Sequence, residues 1–289
     1  MDNKIKLVFF GSSDFSVFCL DELKQLGLLP NLIITTPDKP AGRKLILTPT
    51  PVKVWAETEK IPHLEPAKLN ADFIKQIESD YKDSTVFLVA SYGKIIPKAV
   101  IDLPQHKTLN IHPSLLPKYR GPSPLQAQIL NNENPVGVSI MQIDEQVDHG
   151  PVIIQEQVTV PNWPVSFEEL EKFTAKIGAK LFIDILPKFV SSELKAKEQN
   201  HNEATFTKKT EKADGLINLT NGNPFENFLK IQAYKTWPQA YFIVKKDSEE
   251  IRVIIKDAEF KDNQLVIKKV LPAGKKEMSY EDFLRGLRS

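Results

Sequence analysis

The sequence predicts an α/β protein: a doubly wound, mostly parallel sheet followed by a smaller antiparallel β domain. Three observations point that way. Short, nearly continuous apolar runs alternate with helix-length segments from residue 4 to about 190, the pattern of strands covered by helices on both faces. SSELKAKEQNHNEATFTKK, residues 191–209, then lacks apolar periodicity. Beyond it, three strand-like runs follow one another without intervening helices, as in a small antiparallel domain. At 289 residues, 41% hydrophobic and 26% charged, the chain is long enough for two domains.

In order, residues 5–10 read as a buried strand, 15–26 as a helix, 32–35 as a strand and 51–60 as a helix. Helix 71–78, strands 86–90 and 108–111 and helix 124–131 come next, then strands 138–143 and 152–160. In SFEELEKFTAKIGAKLFIDILPKFV, Ser166 and Glu169 form a capping-box pattern ahead of a long amphipathic helix. After the aperiodic segment, NPFENFLKIQAYK is helix-like, while WPQAYFIV, EIRVIIKDAEF and NQLVIKKVLP are strand-like. The expected division is 1–190 for the first domain, 191–207 for a linker and 208–289 for the second domain. FFGSSDFS after the first strand holds a single glycine, so the G-x-G-x-x-G needed for close approach of a dinucleotide pyrophosphate is missing. The Rossmann-like architecture is therefore expected without a nicotinamide cofactor.

Net charge is +1, from 38 basic and 37 acidic residues, so the overall charge does not point to nucleic acid or a membrane surface and any basic patch must be local. Cys19 is the single cysteine and reads as a small core residue of a protein from a reducing compartment. The N-terminal apolar run is too short and β-branched for a signal peptide, and no later run approaches membrane-span length. A cytoplasmic protein without membrane association is expected.

The chemistry concentrates in LNIHPSLLPKYRGPSP, residues 109–124. Positions i and i+2 of a strand share a face, so Asn110 and His112 project together near the carboxyl end of a strand, where open α/β sheets bind ligands. An amide that donates at any pH and an imidazole that exchanges protons near neutrality suit a developing oxyanion with a proton transfer. Pro113 biases His112 toward an extended backbone. The plainer alternative is an asparagine capping a turn beside a core histidine. In DEQVDHGPVI, residues 144–153, Asp148 lies between two strand-like runs, where its carboxylate could orient His112 and favour its charged form. Alternatively it makes an Asx-turn ahead of Gly150.

LNIHPSLLPKYRG together with VDHGPV resembles the folate-dependent formyltransferase superfamily, whose core is an asparagine, a histidine and an aspartate in this order. TPDKPAGRK, TPTPVKVWA, ASYGKIIPKAV, AYKTWPQAYF and LPAGKKEMSYEDFL are similar to the methionyl-tRNA formyltransferases in particular, and the likeness extends through the second domain. It implies formyl transfer from 10-formyltetrahydrofolate to the amino group of methionyl-initiator tRNA. Asn110, His112 and Asp148 are then catalytic. Ser114, Leu115, Leu116, Pro117 and Gly121 would form a wall of the folate site, with Val89, Tyr92, Ile95 and Asp144 lining it. No metal is implied, since the formyl group is already activated on N10 and no His/Cys cluster has metal-ligand spacing.

The resemblance also implies a tRNA-binding second domain, an OB-like β-barrel that is shorter here than is usual in the family and so reduced. Residues 189–289 hold 18 Lys and Arg against 15 Asp and Glu, only mildly basic for contact with phosphates. The tRNA candidates are Lys208, Lys209, Lys268, Lys269, Lys275 and Lys276, with Lys39, Arg43 and Lys44 on the proline-punctuated loop 37–51. That loop departs from the family in reading Lys44-Leu45-Ile46-Leu47 after Arg43. A monomer is expected. The competing readings are an amino-sugar formyltransferase with the same three catalytic residues, and a non-catalytic RNA-binding module.

Overall fold

The computed structural model describes residues 5–42, 45–246 and 249–288. In chain order the elements are β1 (Leu7–Gly11), α1 (Asp14–Gln25), β2 (Leu32–Ile34), β3 (Lys39–Ala41), β4 (Ile46–Thr48), α2 (Pro51–Glu59), β5 (His63–Leu64) and α3 (Ala71–Tyr81). Next come β6 (Val86–Ala90), α4 (Lys98–Ile101), β7 (Thr108–His112), α5 (Pro124–Leu130), β8 (Val136–Gln142), β9 (Val152–Val158) and α6 (Phe167–Val190). The last are α7 (Pro224–Ala233), β10 (Tyr241–Lys246), β11 (Glu249–Lys261), β12 (Gln264–Pro272), β13 (Met278–Ser279) and α8 (Tyr280–Arg288). The backbone clusters into two units. One comprises the chain up to Arg120 with Gly137–Gln157 and Lys172–Phe206; the other comprises Gly121–Val136, Val158–Glu171 and the chain from Thr207.

The first unit holds a seven-stranded sheet in the order β5-β2-β1-β6-β7-β8-β9. The four pairings from β5 to β7 are parallel, as the continuous apolar runs require. β1 and β6 are buried at every position, and Phe9 lies in register between Ile33 and Leu88. One face packs Val8, Phe10, Ile34, Phe87 and Val89 against Phe73 and Ile77 of α3 and Ile101 of α4. Burying each such side chain is worth about 1.5–3 kcal/mol. α1 begins at Ser13, where Ser16 Oγ accepts from the Ser13 backbone N–H at 3.2 Å and donates to the Ala90 carbonyl at 2.5 Å, tying the helix start to β6. On the buried face of α1, Cys19 is fully covered and directs Sγ at the Ala175 carbonyl, 3.6 Å away. α2 starts with Thr50 accepting from Lys53 N at 3.1 Å and with proline at its first position, both favourable there.

One feature refines the sequence reading and two depart from it. β7 and β8 run antiparallel, with Asn110 opposite Met141 and His112 opposite Ser139. Within the segment read as a loop, Lys39–Ala41 and Ile46–Thr48 pair as the antiparallel strands β3 and β4. The segment read as a linker lies in the first unit as far as Phe206. There Lys197 exchanges two backbone hydrogen bonds with Val152, at 2.7 and 2.8 Å, and Thr205 O accepts from Arg120 N at 2.9 Å. β9 is an edge strand and its unpaired backbone groups need partners, a demand that apolar periodicity does not register.

The second unit contains the antiparallel sheet β10-β11-β12-β13. Phe242, Val253, Ile255 and Val270 make its core with Ile217, Ile231 of α7 and Phe283 of α8. α5 packs against α7. β10 and β13 stand at opposite edges, so among the described residues the expected small β domain has an open antiparallel sheet rather than a closed barrel. At the entry to α6, Glu169 Oε2 accepts from Ser166 N and Oγ at 2.9 and 2.7 Å, and these bonds hold its carboxyl below the ordinary value. Helix α8 did not stand out in the sequence as a helix.

Candidate active site

The antiparallel return of β8 shapes the site. Its connection to β9 leaves the sheet at Ile143, whose N–H donates to Thr108 O at 2.9 Å, and rejoins it where Pro151 O accepts from Gln142 N at 2.9 Å. Between these points the loop brings Asp148 to the side chains of β7. Asn110 Nδ2 lies 3.5 Å from Asp148 Oδ1, and His112 Nδ1 lies 3.7 Å from the same oxygen. The three residues singled out in the sequence therefore converge on one point.

His112 is 4% exposed. Its Nε2 is 3.1 Å from the Tyr119 carbonyl, which can only accept, so Nε2 carries the proton and Nδ1 faces Asp148. The gap of 3.7 Å is wider than a hydrogen bond, so the two groups face each other without a closed bond. Asp148 has φ +50°, a left-handed conformation that aspartate tolerates better than most residues. Gly150 is required by close approach: a Cβ there would sit 2.1 Å from Gln142 O. Asp144 makes an Asx-turn in the same loop, its Oδ1 accepting from Gln146 N at 2.9 Å. Asp144 Oδ2 accepts from His149 Nδ1 at 2.6 Å.

The remaining folate candidates fall into two groups. Val89 pairs with Asn110 across β6 and β7, and Ile95 is 82% exposed, available to an apolar surface. Tyr92 is buried edge-on to Phe10 at 5.4 Å, and desolvation pushes its hydroxyl up to about 12. Ser114 is spent inside the protein: its Oγ donates to Lys118 O and its carbonyl accepts from Ser139 Oγ, both at 2.6 Å. Ser139 Oγ also accepts from Leu116 N at 3.1 Å, so one β8 hydroxyl braces the turn that passes through Leu115 and Pro117. Gly121 has φ +105°, outside the range comfortable for a side chain.

Sequence reasoning missed the residues behind Asp148. Gln199 Nε2 donates to the carbonyls of Asp148 and Gly150 at 2.9 and 2.7 Å. Arg120 donates to Gln199 Oε1 through Nε at 3.1 Å and Nη2 at 2.7 Å. Burial lowers the Arg120 pKa, an effect opposed by the charges of Asp148 and Asp144. The only signal available was an arginine next to the LNIHPSLLP run; Gln199 gave none.

The cationic candidates are scattered in circumstance. Lys208, Lys268 and Lys269 pair with Asp214 at 3.0 Å, Glu259 at 2.6 Å and Glu277 at 3.8 Å. Lys275 and Lys276 are exposed in the β12–β13 turn, where Lys275 N donates to Pro272 O at 3.1 Å. Lys39 and Lys209 are exposed. Arg43 and Lys44 lie outside the described residues.

Residues 4–186 match the formyl transferase family. The chain belongs to that family. This formyltransferase is 37% identical to the methionyl-tRNA formyltransferase of Chloroflexus aggregans, over 82% of this chain and 76% of that protein. It is 32% identical to that of Halalkalibacterium halodurans, over 99% and 96%. The solved structure of the methionyl-tRNA formyltransferase from Clostridium thermocellum superposes with a TM-score of 0.63 at 16% identity, over 93% of this chain and 98% of that one. An N-formyltransferase from Helicobacter canadensis, solved with folinic acid and dTDP-3-aminofucose, superposes with a TM-score of 0.60 at 19% identity, over 89% of each chain. These two likenesses are of fold.

Proposed function

We propose that this enzyme transfers the formyl group of 10-formyltetrahydrofolate to the free amino group of methionyl-initiator tRNA. The observation that carries the reading is the meeting of Asn110, His112 and Asp148 within 3.5–3.7 Å, in a chain whose similarity to methionyl-tRNA formyltransferases extends through the second unit. The neutral methionyl amine attacks the formyl carbon; a C–N bond to the amine forms, the bond to N10 breaks, and the amine proton goes to N10. Asn110 Nδ2 and the His112 imidazole stabilise the oxyanion, each such donor being worth about 2.7–4 kcal/mol. Asp148 orients the imidazole and takes part in moving the proton, directly or through water.

The residues present suit a bound folate: Ile95 offers apolar surface, and the braced 114–121 turn a fixed wall. Exposed Lys275 and Lys276, with Lys39 and Lys209, supply charge for tRNA phosphates, while Lys208, Lys268 and Lys269 must first give up acidic partners. The domain assignment follows: 1–190 catalytic, 208–289 tRNA-binding. The same reading has the enzyme acting as a cytoplasmic monomer, where charged tRNA is used. The test is to offer the purified chain 10-formyltetrahydrofolate with methionyl-initiator tRNA and, in parallel, nucleotide-linked amino sugars. Formylmethionyl-tRNA is the expected product; formylation of the sugar alone, or of neither, overturns the reading.

A further inference from the structure

Asp148 meets Asn110 and His112 only because its loop holds a conformation that non-glycine residues rarely adopt. Such a conformation persists where the surroundings over-determine it, and here the surroundings can be named. The Gln199 amide gives its two N–H groups to the carbonyls on either side of the Asp148–Gly150 turn, at 2.9 and 2.7 Å. The amide could rotate to present its oxygen there, but Arg120 prevents this. An arginine has donors and no acceptor, so its fork at 3.1 and 2.7 Å captures Oε1 and leaves the amide nitrogen facing the loop. Arg120 and Gln199 are 3% and 7% exposed, so water does not compete freely for these bonds.

The clamp extends to the other end of the loop. Arg120 Nη2 also donates to His201 Nδ1 at 2.9 Å, which assigns the proton of the neutral ring to Nε2. The His201 ring stacks on His149 with centroids 4.1 Å apart and planes 5° from parallel. His149 in turn bonds to Asp144. Asp144, four positions before Asp148, and the carbonyl of Gly150, two positions after it, are thus both linked to one buried guanidinium.

We propose that Gln199 is a positioning residue for formyl transfer, clamped by Arg120 so that its amide holds the Asp148–Gly150 backbone and aims the Asp148 carboxylate at Asn110 and His112. The proposal rests on the reading of Asp148 as a reacting group. Gln199→Glu tests it, because the new carboxylate keeps an acceptor for Arg120 and cannot donate to either carbonyl. A displacement of about an ångström at a reacting group costs about a hundredfold. The expectation for Gln199→Glu is a fall in kcat of about ten- to a hundredfold. KM for 10-formyltetrahydrofolate and for methionyl-tRNA should stay within about threefold, measured below a melting temperature that the two unsatisfied carbonyls lower. In an Asp148→Asn background the same substitution should cost almost nothing further, since the group being aimed is gone.

An unchanged kcat overturns the proposal, as does an equal fold-loss in the two backgrounds, which marks a merely structural role. Should Gln199→Glu fail to fold, Gln199→Met, similar in size and unable to donate, decides by the same readouts. Full activity in Asp148→Asn by itself would remove the reading of Asp148 and the proposal with it. An inactive Asp148→Asn beside a fully active Gln199→Glu would remove the clamp alone.

Discussion

Two connections of the first sheet have opposite characters. The β8–β9 loop is pinned from several sides: Asp144 caps its own turn, Gly150 lies against Gln142, and Gln199 holds two of its carbonyls. The β3–β4 hairpin instead ends in Leu45, Ile46 and Leu47, which are 72%, 63% and 63% exposed. On the proposed function the difference matches the task of each. A group that meets a developing charge must be fixed before the substrate arrives, because reorganisation during the reaction would consume the gain. A surface that meets a large polymer can keep freedom and lose it on binding.

The contrast can be broken by mutation, and the largest effects belong to the pinned loop and its partners. His112→Ala and Asp148→Asn should each lower kcat by about 10²–10⁴, with circular dichroism unchanged; a loss below about tenfold in either would detach it from the chemistry. Asn110→Ala should cost about 10²–10³ in kcat and leave the folate dissociation constant, read by fluorescence titration, nearly as it was. Reversing Lys275 and Lys276 to Glu should raise KM for tRNA by about tenfold and flatten its salt dependence, with kcat at saturation preserved; unaltered tRNA affinity would take this turn out of the interface. The smallest effect is expected at the hairpin. Leu45→Ser with Leu47→Ser should shift stability by no more than about 0.5 kcal/mol in urea unfolding, with any change confined to KM for tRNA. A fall in kcat there would erase the distinction between the two connections.

How much of this could be read from residues alone varied with the kind of signal. Strands such as β6 were legible because a strand covered on both faces must be apolar throughout, and Val86–Ala90 is. Asn110 and His112 were legible as a pair because strand geometry puts alternate residues on one face. The antiparallel turn of β8 was not, since pairing direction depends on where the chain travels between strands and leaves no local pattern. Gln199 was hidden for a related reason. Its role comes from two backbone carbonyls about fifty residues away in sequence, and a polar residue in an aperiodic stretch looks the same whether it faces water or a loop. The cationic residues were visible as charges, but the acidic neighbours of Lys208, Lys268 and Lys269 were not visible as partners.

Cys19, sealed on the inner face of α1 with its sulfur against the Ala175 carbonyl, gives the molecule a built-in gauge of its own opening. A thiol reagent can reach it only when its cover opens, the contact with α6 at Ala175 included, and with one cysteine in the chain every labelling event reports the exposure of that one side chain. The rate of modification in the native protein therefore follows the rare excursions of the first unit, and a bound ligand that slows it does so by making those excursions rarer.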